Sequence, residues 1–296
     1  MRQAAAAALV IGIIALMPVR SRAWGFEVHK LIADRAIDLL PGQIRPFFQK
    51  HRTFIVEHAV DPDLWRNAGF TEEPPRHFVD LDAYGPPPFA ELPAEYDRAI
   101  QTYGAEFVLR NGTLPWRTAE MYGQLRRSFE LQKSRVPGYA LENVKFYSAV
   151  LAHYVADGHV PFHAVLNYNG QLTGQIGIHS RWETELVILR RSDWTITPTP
   201  LAHVSDPRGA MFDVLKAGFP LAEQILRADK EAVAGKDEYD RAYFDAMFDA
   251  TRPIMEQQLS RAVGAVASFI TSAWEDAGRP DLPVDPPVEV KKVRRN

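Results

Sequence analysis

The sequence predicts an all-α protein that folds as a single compact multi-helix domain. Apolar residues recur with a period close to 3.6 in several long segments, which is the spacing of an amphipathic helix. Segments with the alternating pattern of a β-strand are missing, and proline- or glycine-rich stretches separate the helical segments. Of the 296 residues 46% are hydrophobic, as in ordinary globular proteins, and no repeat or linker divides the chain.

The predicted helices follow one another from residue 28 onward. The first covers residues 28–40, with apolar side chains on one face, and ends at Pro41 and Gly42. Residues 72–94 are rich in proline and residues 167–178 in glycine and asparagine, so both are predicted to be loops. The other helices are predicted over residues 43–50, 54–59, 118–132, 141–157, near 179, and over 207–229, 237–249 and 252–275.

Residues 1–23 have the pattern of a secretory signal peptide, followed by the predicted domain, residues 24–277. Arg2 precedes an apolar run that is too short for a comfortable membrane span, and small residues occupy positions 21 and 23. An uncleaved membrane anchor is the alternative. We expect a secreted or periplasmic protein without a transmembrane segment after processing. Residues 278–296 are predicted to be a Pro-rich basic tail.

The chain contains no cysteine, which excludes iron–sulfur centres, thiol catalysis and cysteine zinc fingers. A transition metal would therefore need ligands from histidine, aspartate, glutamate or backbone atoms. The formal net charge is −3 and becomes −6 when the three arginines of residues 1–23 are removed. Binding of a polyanion through an excess of positive charge is thus not indicated.

Two pairs of an imidazole and a carboxylate occur at a spacing of four residues, which places each pair on one helix face. His153 pairs with Asp157, and His179 pairs with Glu183, while His163 lies between them just past a proline. Nitrogen and oxygen ligands of this kind suit zinc. One such pair alone would favour an ion pair on a helix surface, but two pairs and a further histidine within 31 residues favour a metal site.

Further candidate ligands lie upstream. Cleavage after residue 23 would leave a free α-amino group on Trp24, and this amine and the adjacent carbonyl could chelate a metal near His29. A second group combines His77 with either Asp61 or Asp63. Either aspartate could instead be a helix cap.

The order of these residues resembles the trizinc phosphodiesterases, which comprise the bacterial zinc-dependent phospholipases C and the single-strand-specific zinc nucleases. The family pattern is an N-terminal tryptophan, a nearby histidine, an aspartate, a histidine, then H-x-x-x-D-x-x-x-x-x-H and H-x-x-x-D/E. The residues that match it in this chain are Trp24, His29, Asp63 or Asp61, His77, His153, Asp157, His163, His179 and Glu183.

The resemblance implies a buried cluster of three Zn²⁺ ions and an exported zinc-dependent phosphoric ester hydrolase that uses zinc-bound hydroxide. One zinc would be held by Asp63, His77, His153 and Asp157. A second would be held by His163, His179 and Glu183, and a third by the Trp24 amine and carbonyl with His29, bridged by Asp157. Asp63 could also act as a catalytic general base. It is preferred to Asp61 because D-L-W-R resembles the D-x-x-R of the nucleases.

Some features of the sequence favour the phospholipases C of this family and others favour the nucleases. Glu183 as the last ligand and the missing Gly-Gly-Asn run favour a phospholipase C, whose substrate is a phospholipid or another phosphodiester. The short spacing from Trp24 to His29 favours the alternative, a single-strand-specific nuclease, and a non-catalytic zinc-binding protein is the alternative of another class. The sequence does not indicate an oligomeric state.

Candidates for substrate contact near the ligands are Arg76, Tyr168, Arg181 and Trp182, with buried packing favoured for Trp182. The histidines that are expected at the surface or at helix ends are His51, His58, His159 and His203.

Overall fold

The computed structural model describes residues 24–133 and 139–284, and within them every regular element is a helix. The all-α prediction is confirmed. The α-helices are α1 Phe26–Leu39, α2 Arg45–Lys50, α3 Arg52–His58, α4 Asp61–Asn67, α5 Tyr96–Tyr103, α6 Ala105–Arg110, α7 Leu114–Lys133, α8 Tyr139–Asp157, α9 Ile178–Ser180, α10 Leu186–Leu189, α11 Pro207–Val233 and α12 Arg241–Asp276. Pro74–His77, Leu81–Tyr84 and Pro161–Ala164 are 3-10 helices, and Arg181–Glu185 is a π-helix.

Helix α8 lies at the centre of the fold. Its sequence is apolar around most of its circumference, and a helix of this kind is stable only when it is enclosed by others. Helices α1, α3, α7 and α12 pack around it. Its last turn is fully buried, so any polar group there is removed from water and needs a partner. That last turn carries His153 and Asp157.

Helix α12 is continuous over 36 residues. The sequence predicted two helices, 237–249 and 252–275, but no break separates them, so this part of the prediction is wrong. Pro253 stands inside the helix, where proline costs about 3 kcal/mol, but its side chain is exposed. The buried face continues on both sides of it, from Met247 and Thr251 to Met255. Packing of this face against the neighbouring helices outweighs the local cost.

The predicted loop 72–94 contains two short 3-10 helices and is fixed against the loop that follows α8. The Val79 N–H donates to the carbonyl oxygen of His163 over 2.9 Å, and the Asp80 N–H donates to that of Asn111 over 2.8 Å. Gly112 has a φ of +89°, and a Cβ there would lie 2.1 Å from the carbonyl oxygen of Phe78. The hydrogen bond from Val79 places residues 77–80 beside His163, and the close approach of Gly112 to Phe78 fixes them from the other neighbouring segment.

The sequence analysis did not predict the short helices α4, α5 and α6. Residues 278–284 pack against the end of α12, where the indole of Trp274 donates to the carbonyl oxygen of Pro280 over 2.9 Å. The predicted signal peptide and residues 285–296 of the predicted tail lie outside the described residues. In the described part of the chain no helix has the length and apolar character needed to cross a bilayer.

Candidate metal centre

Eight side chains from six segments of the chain form three groups around the last turn of α8, and the first two groups share His153. Within each group the candidate ligand atoms lie no more than 4.8 Å from one another, and every member is buried. The three groups are His29, His153 and Asp157; Asp63, His77 and His153; and His163, His179 and Glu183.

Helix α8 contributes the residues at the centre of this arrangement. His153 Nε2 lies 3.2 Å from Asp157 Oδ2, as the spacing of four residues in a helix predicts. The other ring nitrogen of His153, Nδ1, donates to the carbonyl oxygen of Ala59 over 2.8 Å. This hydrogen bond fixes the tautomer and leaves Nε2 with a lone pair that faces the cluster.

His77 reaches the same carboxylate from the loop 72–94. Its Nδ1 lies 2.9 Å from Asp157 Oδ2 and 3.1 Å from His153 Nε2. Its Nε2 faces Glu73, whose Oε1 is 3.6 Å away. The buried Glu73 accepts hydrogen bonds from the Tyr154 hydroxyl and, over 2.8 Å, from Arg76. Sequence analysis missed Glu73, although its spacing of four residues from His77 repeats that of the two predicted pairs.

His29 enters the cluster from α1. Its ring stacks on that of His153 with 3.9 Å between centroids, and its Nε2 lies 3.4 Å from Asp157 Oδ1. Neither ring nitrogen of His29 has a hydrogen-bond partner among the described residues. A buried imidazole with both nitrogens unpaired is costly, and a bound metal ion would supply the missing partner.

The structure separates the two aspartates that the sequence left as alternatives. Asp63 is fully buried in the cluster, whereas Asp61 Oδ2 lies 2.7 Å from His58 Nδ1 outside it. Asp63 Oδ1 is 2.7 Å from Nη2 of Arg66, an ion pair without the alignment of a hydrogen bond. Asp63 is therefore the aspartate available to a metal.

The third group lies on the 3-10 helix after α8 and on the segment from α9 into the π-helix. His179 Nε2 is 3.0 Å from Glu183 Oε2, and the rings of His163 and His179 are 5.1 Å apart. The contact between His179 and Glu183 lacks hydrogen-bond alignment, and neither oxygen of the fully buried Glu183 has a hydrogen-bond partner in the described structure. The carboxylate of Glu183, like that of Asp63, therefore lacks hydrogen bonds although it lies beside imidazole groups.

The pKa values follow from burial and from the crowding of carboxylates. Burial, the charge of Asp157 and that of Asp63 raise the pKa of Glu183 well above its usual range. Burial alone would raise the pKa of Asp157 too, but the neighbouring imidazoles, of which His153 has the largest effect and His29 and His77 add to it, hold it well below its usual range. Burial lowers the pKa of His163 to about 4. Neutral imidazoles and crowded carboxylates are the donor set that a divalent metal requires.

The side chain of Trp24 is buried next to the cluster and is not one of its candidate ligands. Its indole is fully buried and donates to the carbonyl oxygen of Ala156, one residue before Asp157, over 2.8 Å. A Cβ on Gly25 would lie 2.6 Å from Thr184 Cγ2, so the chain at residues 24 and 25 packs tightly on the π-helix that carries Glu183. The two atoms of Trp24 proposed as ligands are backbone atoms.

A buried polar network holds Arg181, which lies in the π-helix. Nη2 of Arg181 donates to Asp229 Oδ1 over 3.0 Å, and its Nε donates to the Tyr243 hydroxyl over 3.0 Å. Gln175 Nε2 donates to the other Asp229 oxygen over 2.7 Å. Arg181, a candidate for substrate contact, is engaged in this network and is not among the residues that line the cleft beside the cluster. Trp182 is fully buried, as expected.

His159 lies just past the end of α8, which is one of the two positions expected for it, and it is buried there. It is 3% exposed, and its Nδ1 donates to the carbonyl oxygen of Val155 over 2.8 Å. Burial lowers its pKa to about 4. Like Glu73, His159 is buried by residues that are distant in sequence, including Gln258, which donates to its carbonyl oxygen over 2.6 Å.

A cleft of about 760 Å³ opens onto the cluster. His77, His163 and His179 form part of its wall, and the residues that line the rest include Arg66, Phe70, Phe78, Asp80, Arg110, Phe162, Leu166 and Tyr168. Tyr168 thus stands where substrate contact was predicted. Arg76 instead lines a separate cavity of about 900 Å³ that contains none of the cluster residues.

One further acidic residue of the cleft was not predicted. Asp80 is 5% exposed, and its Oδ1 has no hydrogen-bond partner in the described residues. Burial, with the charge of nearby Asp82, raises the pKa of Asp80 to about 8. Only its position three residues after His77 could have indicated it from sequence.

A protein family and a solved structure are similar to this chain. No curated protein matches the chain. Among solved structures, the alpha-toxin of Clostridium perfringens, isolated from avian strain SWCP, matches with a TM-score of 0.49 and 16% sequence identity. That match covers 86% of this chain and 66% of the toxin chain, so this chain spans just under two thirds of that length. A family model described as zinc dependent phospholipase C matches residues 28–230, which is more than half of the chain. The chain therefore belongs to the zinc-dependent phospholipase C family.

Proposed function

We propose that this protein is an exported phospholipase C that hydrolyses the phosphodiester of a phospholipid at the zinc cluster. Family membership supports phosphodiester hydrolysis. The observation that carries the proposal is the open cleft, whose wall includes His77, His163 and His179 from two of the three ligand groups. A substrate in this cleft would reach the cluster directly, which a protein that only stores metal would not need.

The donor set supports zinc as the metal. Nitrogen and carboxylate ligands suit Zn²⁺, and the buried atoms without partners on His29, Asp63 and Glu183 mark where ions would bind. We assign one zinc to Asp63, His77, His153 and Asp157. A second would take His163, His179 and Glu183. The third would take His29 with the amine and carbonyl of Trp24, and Asp157 would bridge it to the first.

Zinc, when bound, polarises phosphoryl oxygens and lowers the pKa of a coordinated water to about 7. The protein residues position the reaction around it. Asp63 would accept a proton from the attacking water or orient it, and Arg66, which lines the cleft, pairs with that carboxylate. Glu73 and the carbonyl oxygen of Ala59 orient His77 and His153. Phe70, Phe78 and Leu166 give the cleft an apolar wall suited to lipid.

Signal-peptide cleavage, which accompanies export, would also create the third zinc site. Cleavage of residues 1–23 would free the α-amino group of Trp24, a residue whose indole donates to the carbonyl oxygen of Ala156, next to Asp157 in the chain. Protein that begins at Trp24 should bind one more zinc per chain than protein that begins with an added methionine. Equal zinc contents in the two preparations would remove Trp24 from the ligand set.

A single-strand-specific nuclease is the second candidate, favoured by the ion pair between Asp63 and Arg66 of the D-x-x-R motif. The decisive experiment incubates the protein beginning at Trp24 with phosphatidylcholine vesicles and, separately, with single-stranded DNA, each with and without a chelator. Chelator-sensitive release of phosphocholine with intact DNA supports the proposal. Cleavage of DNA with intact lipid would assign the protein to the nuclease branch, and zinc binding without either reaction would favour a non-catalytic protein.

A further inference from the structure

The cavity of about 900 Å³ contains none of the cluster residues, and the proposed reaction does not use it. Residues of the first turns of α5, α7 and α11 line it, together with residues of the loop 72–94. The ionisable residues of its lining are four arginines, Arg76, Arg98, Arg117 and Arg208, and four acids, Glu72, Glu95, Asp97 and Glu120.

The arginines and the acids of this cavity differ in burial. The side chain of Arg117 is 11% exposed, and those of Arg208 and Arg76 are 26% and 30% exposed. All four acids are exposed. Water screens the charge of an exposed carboxylate more than that of a half-buried guanidinium group. The interior of the cavity is therefore more positive than its edge.

Two of the arginines have partners that a ligand can replace. Arg117 donates from Nη1 to Glu120 over 2.7 Å, and Arg208 donates to both carboxylate oxygens of Glu95 over 2.6 Å. Ion pairs with exposed carboxylates such as these contribute little to stability. In both guanidinium groups Nε also lacks a hydrogen-bond partner among the described residues. An anion that enters the cavity can thus take the place of the two glutamates.

Phosphate is the anion that this arrangement favours. A guanidinium group binds two phosphate oxygens at once through parallel N–H groups, and a tetrahedral phosphate has enough oxygens for more than one arginine. The helix dipoles add to the charge of the arginines, because α5, α7 and α11 all contribute residues of their positive, N-terminal ends.

Two of the arginines also connect this cavity with the metal centre. Nη1 of Arg76 donates to Glu73 Oε2 over 2.8 Å, and Glu73 Oε1 lies 3.6 Å from His77 Nε2. The guanidinium carbon of Arg117 lies 5.2 Å from the ring centroid of Tyr154, whose hydroxyl donates to Glu73. The carboxylate that orients His77 is therefore held from the side of the cavity.

We propose that this cavity binds a phosphate monoester and that the bound phosphate lowers turnover at the metal centre through Glu73. Phosphate that accepts a hydrogen bond from Arg76 weakens the contact of Arg76 with Glu73, and His77 is then oriented less firmly. Hydrolysis of a phosphodiester yields a phosphate monoester, so the ligand has the chemistry of the product. The effect on turnover rests on the proposed function, whereas the binding of phosphate in the cavity does not.

The first test measures the binding of inorganic phosphate to the zinc-loaded protein by equilibrium dialysis. The wild type should bind phosphate at the zinc cluster and in the cavity, and Arg117→Gln should weaken the second site about tenfold, because a charged hydrogen bond is lost. Phosphate held by zinc is common to both proteins and cancels in the comparison. Arg126→Gln is the matched control, since Arg126 also pairs with a glutamate on α7 but lies outside the cavity. It should bind phosphate like the wild type.

The second test measures how phosphate inhibits the hydrolysis of p-nitrophenyl phosphocholine. Phosphate on the zinc ions competes with the substrate and raises KM, whereas phosphate in the cavity should lower kcat by about fivefold. We expect this loss of kcat in the wild type and in Arg126→Gln, but not in Arg117→Gln. A wild-type kcat that phosphate leaves unchanged would refute the connection through Glu73.

Equal phosphate binding by the wild type and Arg117→Gln would overturn the inference. If Arg117→Gln does not fold, Arg208→Gln takes its place, because Arg208 lines the same cavity and pairs with an exposed glutamate. A protein that hydrolyses no phosphodiester would count against the proposed function. The dialysis would still decide whether the cavity binds phosphate.

Discussion

His77 and Asp157 lie 80 positions apart in the chain, yet Nδ1 of the histidine is 2.9 Å from Oδ2 of the aspartate. The same carboxylate lies within 3.7 Å of nitrogens of His29, His153 and His163. Among the described residues, Asp157 is thus the carboxylate that imidazoles from α1, α8 and two loops contact together. Because of this position, replacement of Asp157 should weaken metal binding at more than one site.

Replacement of Asp157 by asparagine keeps the shape of the side chain but removes the charge that offsets bound cations. We expect Asp157→Asn to lose at least one zinc per chain and to reduce activity by about a hundredfold or more. Metal content is measured by mass spectrometry after dialysis. Asp34→Asn, which alters a surface ion pair with Arg52, is the control for a changed carboxylate. A variant with full zinc content would contradict the bridging role.

The choice between the two neighbouring aspartates gives a second prediction. Asp63→Asn should lower zinc content and nearly abolish hydrolysis, because Asp63 is fully buried and belongs to a ligand group with His77 and His153. Asp61→Asn should leave both unchanged, since Asp61 contacts His58 instead. The two variants differ by two positions and by the same chemical change, so each is the control of the other. The reverse result would move the ligand to Asp61.

Removal of the metal should destabilise the whole domain. Without cations, Asp63, Asp157 and Glu183 stand close together in the protein interior with oxygens that lack hydrogen-bond partners. We expect a chelator to lower Tm by about 10 °C or more, and added zinc to restore it, because metal binding stabilises only the folded chain. Differential scanning calorimetry measures both steps. An identical Tm with and without chelator would show that the cluster is stable without metal.

The sequence predicted those parts of the centre that depend on local geometry. The pairs His153 with Asp157 and His179 with Glu183 follow from the helical repeat, and the structure places both pairs in contact. Asp63 could not be separated from Asp61 in the same way, because the direction of each side chain depends on how α4 packs.

The residues that the sequence analysis missed depend on contacts between distant segments. Glu73 is held by Tyr154, which is 81 positions away, and Arg181 pairs with Asp229, which is 48 positions away, so neither contact is visible in the local sequence. The continuity of α12 past Pro253 likewise reflects tertiary packing, which overrides a strong local signal. Family resemblance rather than periodicity joined the separate ligands into one centre.

His159 should make stability depend on pH in the acid range. Burial lowers its pKa from 6.5 to about 4, so the unfolded chain takes up the proton first as the pH falls. The stabilisation is complete above pH 6.5 and is lost as the pH falls toward about 4. Between pH 7.5 and pH 5 the free energy of unfolding should therefore fall by about 2 kcal/mol more in the wild type than in His159→Gln. Urea unfolding at the two pH values tests this, with the exposed His203→Gln as the control. Equal losses in the wild type and in His159→Gln would contradict it.

The network behind the π-helix provides the last prediction. Asp229 is 1% exposed and is the acidic partner of Arg181, which is itself 5% exposed. Asp229→Asn should lower the free energy of unfolding by about 3 kcal/mol, because it leaves a buried guanidinium without its counter-charge. Tyr243→Phe removes only a neutral hydroxyl from the same network and should cost about 1 kcal/mol. Arg181 lies two residues before Glu183. We therefore also expect Asp229→Asn to weaken zinc binding at the site formed by His163, His179 and Glu183. Competition with a chromophoric chelator measures this affinity. Equal effects of the two variants on stability would mean that the network is held by its hydroxyl and amide groups rather than by the buried charge pair.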